Sequence, residues 1–312
     1  MKRIFPTVFI LGISANALAD ETLWLYAKGT DTRPKASYEL KVSEISRIGK
    51  SSGSYQMHDI RPEIEYGITD KLTATAEAIV FKHNYKVDDP ELQPMFDTQT
   101  EAGGRFNKTQ FGGYEIGLKY NIASPYTQKV GYSTGFSYEK RDRYRLDGAK
   151  IDQDSFVFTQ FFQTNFLDDA LVLALTPKVE FERRKSPDVL EEEIAIDIAA
   201  GIAYRFVPNW FIGAEWRMQS DYLNPQESGE FNPELKRSSF DLTDFRVGSR
   251  HQYGHYLGPT IHYGAQNWYF TGGVLWQVKG GGSQFSYSKN GKNWDDIIAD
   301  NLRNYAYLSK RL

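Results

Sequence analysis

Tyr114-Glu115-Ile116-Gly117-Leu118-Lys119-Tyr120-Asn121-Ile122 carries an apolar side chain at every even number and a polar residue or glycine at every odd one. Successive side chains of a strand point to opposite faces, so this stretch reads as a β-strand with one apolar and one charged face. The same period of two sets Ile60, Pro62, Ile64 and Tyr66 against Asp59, Arg61, Glu63 and Glu65. It returns as Leu171, Leu173, Leu175, Pro177, Val179 and Phe181 against Thr176, Lys178, Glu180 and Glu182. Further on, Ile194, Ile196, Ile198, Ala200, Ile202, Tyr204 and Phe206 stand against Glu193, Asp197, Gly201 and Arg205, and Trp210, Ile212, Ala214, Trp216 and Met218 against Gly213, Glu215, Arg217 and Gln219. Glycine-rich and aromatic versions run through 130–141, 257–264 and 268–278, and weaker ones through 36–45, 72–81, 156–166 and 302–308. The count comes to about twelve strands, many near the 9 to 11 residues that cross a bilayer obliquely.

The connections alternate in length. Gly67-Ile68-Thr69-Asp70, Ser124-Pro125-Tyr126-Thr127, Leu167-Asp168-Asp169, Val207-Pro208-Asn209 and Gly264-Ala265-Gln266-Asn267 are short and built from turn formers. Between them fall polar stretches at 82–108, 142–154, 221–250 and 279–301, with shorter ones at 49–53 and 184–190. A secreted sandwich would have strands of about 5 to 6 residues and no reason for this alternation. A transmembrane barrel has short periplasmic turns and long extracellular loops. Tyr66, Tyr120, Phe206, Trp210, Tyr263 and Trp268 lie at the turn ends, where an aromatic girdle belongs. Pro62, Pro177 and Pro259 fall inside strands and each removes a ladder hydrogen bond, so bulges or misplaced strand boundaries are expected there.

The chain opens Met1-Lys2-Arg3, runs through an apolar stretch from Ile4 to Ile13 and reaches Ala17-Leu18-Ala19. That is the charged start, short apolar run and small-residue cleavage site of a signal peptide, residues 1–19, which leaves 20–312 as the exported domain. Twenty Tyr, 20 Phe and 6 Trp are a heavy aromatic load for a helical core but suit interfacial girdles. With no cysteine, disulfides and thiolate metal sites are excluded. Basic and acidic residues number 37 and 40, a net charge of −3, which speaks against nucleic acid as a partner.

The expected fold is therefore all-β: an antiparallel transmembrane β-barrel of about twelve strands in the outer membrane. Leader, alternating strands and the rhythm of short turns and long loops together resemble the porin-like channel family of Gram-negative outer membranes. The resemblance is one of architecture and extends over the whole exported chain. It implies a passive channel for small solutes, with outer-membrane lipid, lipopolysaccharide and the barrel-assembly machinery as partners.

The face opposite the apolar one carries charge of both signs, so the lumen must be wet or densely ion-paired, since an unpaired buried charge costs several kcal/mol. Arg61, Glu63, Glu115, Lys119, Lys178, Glu180, Glu215 and Arg217 are the candidate pore lining, because rings of charged side chains set selectivity in such pores. A slight acidic excess among the inward residues predicts a preference for cations. A barrel plugged by its own ion pairs and serving as an anchor for surface binding or adhesion is the second reading. A lipid-modifying enzyme is the third. That enzyme family sets a histidine in a His-x-Ser-Asn-Gly motif, which none of His58, His83, His251, His255 and His262 matches. The expectation is a channel without catalytic residues, metal or cofactor. His251 and His255 have a four-residue spacing that has metal-binding force only on a helix, and this segment is predicted to be strand or loop.

Overall fold

The computed structural model describes residues 7–14, 22–48, 54–86, 105–145, 147–186, 189–227, 230–231 and 249–282. Its strands are β1 (Thr7–Ser14), β2 (Tyr38–Ile48), β3 (Ser54–Thr69), β4 (Leu72–Lys86), β5 (Arg105–Ala123), β6 (Gly131–Arg143), β7 (Lys150–Phe166), β8 (Leu171–Ser186), β9 (Val189–Val207), β10 (Trp210–Glu227), β11 (Glu230–Phe231), β12 (Ser249–Gly264), β13 (Trp268–Val274) and β14 (Trp276–Gly282). Each of β2 to β10 pairs antiparallel with the next, β10 continues to β12, β12 to β13, β13 to β1, and β1 back to β2. The described strands thus close a ring. β13 and β14 form one broken strand along β12, since Thr260 pairs with Gly273 and Leu257 with Trp276 in a single register.

Alternation decides which face each residue takes. Leu40, Val42, Ile64, Ile116, Leu118, Ile202 and Ile212 are exposed on the outside, while Glu39, Lys41, Glu65, Glu139, Asp197 and Glu215 are buried inside. An apolar outer surface around a polar interior is the arrangement of a membrane barrel and the inverse of a water-soluble one. On β5 the apolar outer row runs from Tyr120 to Phe111, nine residue steps at about 3.3 Å each. Tilted by about 40°, that covers about 23 Å, close to the ~25 Å band of known membrane barrels. Tyr66, Tyr120, Phe206, Trp210 and Trp268 stand exposed at its turn-side border, as the girdle requires.

Pro62, Pro177 and Pro259 make no bulge. Ile60 pairs with Val80 and Glu63 with Glu77 in one unbroken register across Pro62, and Thr159–Lys178 and Phe162–Leu175 do the same across Pro177. Pro259 sits at the break between β13 and β14. Each proline forfeits ladder hydrogen bonds on one side, and neighbouring pairs hold the alignment. The real register shifts fall elsewhere, for example between Ile79 and Val80 opposite Gly113.

Strands also extend beyond the sequence boundaries on the loop side. β4 continues to Lys86, β5 begins at Arg105, and β6 and β7 leave only 144–149 between them. The weaker segment 302–308 lies outside the described residues. Residues 7–14, read from sequence as part of the leader, stand here as the strand between β2 and β13.

Inside the ring, the segment from Thr22 to Ser37 runs along the inner wall. It forms no ladder, so its backbone groups need side-chain partners. The wall supplies them in order. Thr271 of β13 donates to the Thr22 carbonyl, Glu215 of β10 accepts from the Leu25, Tyr26 and Ala27 amides, and Thr176 of β8 accepts from Lys28 at 2.9 Å. Gln163 of β7 then accepts from Thr30 at 2.9 Å, Ser133 of β6 and Asn121 of β5 donate to the Thr30 carbonyl, and Thr73 of β4 accepts from Arg33 at 2.8 Å. The segment is a collar that passes round the lumen and narrows it.

Candidate functional site

Within the collar and the strands lies a cavity of about 380 Å³, whose walls hold eleven carboxylates and ten cationic side chains. Seven of the eight residues singled out from sequence line it: Arg61, Glu63, Glu115, Lys119, Lys178, Glu180 and Arg217. Glu215 faces inward too, but its carboxylate is wholly engaged by the collar, at 2.9, 2.7 and 2.5 Å from the amides of Leu25, Tyr26 and Ala27.

Two groups organise the charge. On one wall Arg61 gathers carboxylates from four strands: Asp59 at 2.9 Å, Glu77 at 2.8 Å, Glu139 at 3.3 Å and Glu115 at 3.6 Å. Beside it Lys41 bridges Glu63 and Glu65 at 2.9 and 2.8 Å. On the other wall Arg217 holds Asp197 through contacts of 2.5 and 3.1 Å and lies over the Tyr26 ring at 3.6 Å. Lys178 stands between Glu180 at 3.5 Å and Asp197 at 3.9 Å. Lys119 serves the collar, donating to the Gly29 carbonyl at 2.9 Å with its ammonium over Phe161. The acidic excess expected from sequence shrinks to one charge, because Lys28, Arg47, Arg145 and Arg184 also enter the lining.

Arg145 belongs to the turn between β6 and β7, whose described residues fold into the barrel mouth. His83 contacts the Arg145 carbonyl at 2.9 Å, Tyr85 donates to the Asp147 carbonyl at 3.1 Å, and the Arg145 guanidinium reaches Asp59 at 3.6 Å. Burial and the adjacent Arg141 pull Arg145 down to about 10, which leaves it cationic at neutral pH. Sequence reading placed Arg145 in a solvated loop and left the collar unassigned. The collar's signal was the absence of alternation over 22–37 in an otherwise alternating chain. Arg205, which alternation along β9 sets on the same face as Asp197, lies at the turn end and donates to the Asp168 carbonyl at 3.0 Å. His255 is on β12, a strand, and stacks on Trp216.

Residues 16–306 match the model of a family of unknown function (DUF6662). The chain belongs to this family. Comparison with curated proteins finds no match. Among solved structures, the family member is similar to the COG4313 outer membrane channel from Pseudomonas putida F1, with 9% identity, 88% of this chain and 97% of that chain covered, and a TM-score of 0.46. It is also similar to the CymD monoaromatic hydrocarbon channel, with 12% identity, coverage of 88% and 87% and a TM-score of 0.32. OmpT, an outer membrane protein of Vibrio cholerae, in its loop L8 deletion form, gives 7%, 87%, 97% and 0.32 for the same quantities.

Proposed function

We propose that this chain is a narrow outer-membrane channel through which small hydrophilic or amphipathic solutes diffuse, exported by a leader spanning residues 1–19 and folded from residues 20–312. The carrying observation is the lumen, where twenty-one charged side chains of balanced sign line a cavity of about 380 Å³ inside an apolar-sheathed ring. So many charges are tolerated only where water or tight pairing compensates them. A lining of this kind suits polar or dipolar solutes and offers no continuous apolar path to a hydrocarbon. The eight residues take separate parts. Arg61, Glu63, Glu115, Lys178 and Glu180 face the solute path, while Lys119, Glu215 and Arg217 hold the collar that sets its width. Transport needs no bond chemistry and no cofactor. Outer-membrane lipid and the barrel-assembly machinery are the partners this location entails.

Single-channel conductance of the refolded chain in a planar bilayer tests the reading. Discrete steps with weak ion preference are expected for the wild type, because the lining is one charge from neutral. Glu115→Lys and Glu180→Lys each change the lining by two charges and are expected to turn the preference toward anions. A correctly folded, heat-modifiable barrel that conducts nothing would refute the channel.

A further inference from the structure

The register of β3, β4 and β5 assembles nine outward-facing residues into a three-by-three patch just above the apolar band. Ile60, Val80 and Phe111 form the last apolar row. Above it, His58, Lys82 and Thr109 make the first polar row, Gln56, Asn84 and Asn107 the second, and Ser54, Lys86 and Arg105 the third. No carboxylate stands among the nine; on the adjoining β2, Glu44 contacts His58 at 2.6 Å and interacts electrostatically with Lys82. Lys82 and Arg105 are exposed, and Arg105 donates to Asn84 at 2.6 Å. On the neighbouring β6 and β7, by contrast, Lys140, whose register partner on β5 is Tyr114, is held by Asp152 and Asp154.

Height identifies the ligand. Each row adds two residues, about 6.6 Å along a strand, or about 5 Å along the barrel axis at a tilt near 40°. On each strand the three residues therefore stand about 5, 10 and 15 Å beyond that strand's own last apolar residue. The headgroup layer of an ordinary bilayer is only about 5 to 7 Å deep on each side. Lys82 is at phospholipid headgroup height, whereas Lys86 and Arg105 rise above it and need a headgroup that extends further. Lysine and arginine separated by hydrogen-bonding amides are suited to phosphates carried on sugars.

We propose that this patch binds a phosphorylated glycolipid of the outer leaflet, of the lipopolysaccharide type, with Lys82 on a phosphate near the membrane and Arg105, together with Lys86, on groups further out. The proposal rests on the outer-membrane reading above and adds a specific lipid site to it.

The test uses the refolded full chain in detergent, titrated with diphosphoryl lipid A, dephosphorylated lipid A, phosphatidylglycerol or inorganic phosphate. Diphosphoryl lipid A is expected to bind at least tenfold more tightly than each of the other three. Lys82→Gln combined with Arg105→Gln is expected to remove most of that tenfold, and Lys140→Gln to leave it intact. Both substitutions lie on the polar exterior, and retained heat modifiability in SDS reports that the barrel has folded. A folded double variant that binds diphosphoryl lipid A as the wild type does, or a wild type indifferent to the phosphates, overturns the proposal. A chain that forms no heat-modifiable barrel in lipid vesicles refutes the membrane reading itself, which is a separate outcome.

Discussion

Glu215 shows how far a single residue can be read from its neighbours in sequence. Its place between Ala214 and Trp216 fixes it on the inner face, and alternation delivers that placement without a structure. Its task was not legible, because the partners are backbone amides about 190 positions away. Three consecutive N–H groups converging on one carboxylate leave the collar dependent on it. Glu215→Ala removes the acceptor for all three, and an unsatisfied buried donor costs about 1 to 3 kcal/mol. The expected result is a lower chemical-denaturation midpoint together with larger conductance steps as the collar loosens. Unchanged values of both would show that the other wall contacts suffice. Gly201 belongs to the same contact. A Cβ there would lie 2.5 Å from the Trp24 indole, so Gly201→Leu is expected to displace that ring and shift its fluorescence toward that of exposed tryptophan.

Among elements, the short turns carry the clearest sequence signal. In Val207-Pro208-Asn209-Trp210, proline occupies the first central position and Asn209 takes a φ of 69° at the second, the order of a type II turn. A β-branched residue is strained in that left-handed region by about 1 to 2 kcal/mol. Asn209→Val is expected to lower the melting temperature, and Asn209→Gly to leave it near the wild-type value. The upper ends of the strands were harder to read. On β4 alternation persists past Val80 but changes sense: Phe81, His83 and Tyr85 turn inward, while Lys82, Asn84 and Lys86 face out. Inward aromatics there join Tyr55, Met57, Ile79 and Phe106 in a buried cluster. The strand has left the hydrocarbon layer, so the outside is polar and an apolar core lies inside, and the same period of two carries opposite polarity. A reading that looks only for apolar-out strands ends them at the bilayer edge.

For the molecule as a whole, an antiparallel ring was legible from turn and loop rhythm, and a ring in which every neighbour is antiparallel closes only with an even number of strands. What closes the ring was not. β2 and β13 run in the same direction, each antiparallel to β1. A chain processed after Ala19 lacks β1 and needs one strand antiparallel to both neighbours. A chain starting at Asp20 is expected to form the SDS-resistant, heat-modifiable barrel, and deleting residues 302–312 from it, the remaining alternating segment, is expected to abolish that form. Equal folding of the shorter chain would mean that the seam is closed by other residues.

The collar also acts as a gauge of circumference. From Thr22 to Arg33 a fixed contour of chain meets seven different strands in order, each with the donor or acceptor that the adjacent peptide group requires. A ring with one hairpin more or fewer would present the wrong partners over half the circuit, leaving buried amides and carbonyls unmet. Strand number is thus checked from within, by a tape measure that the protein carries inside its own bore.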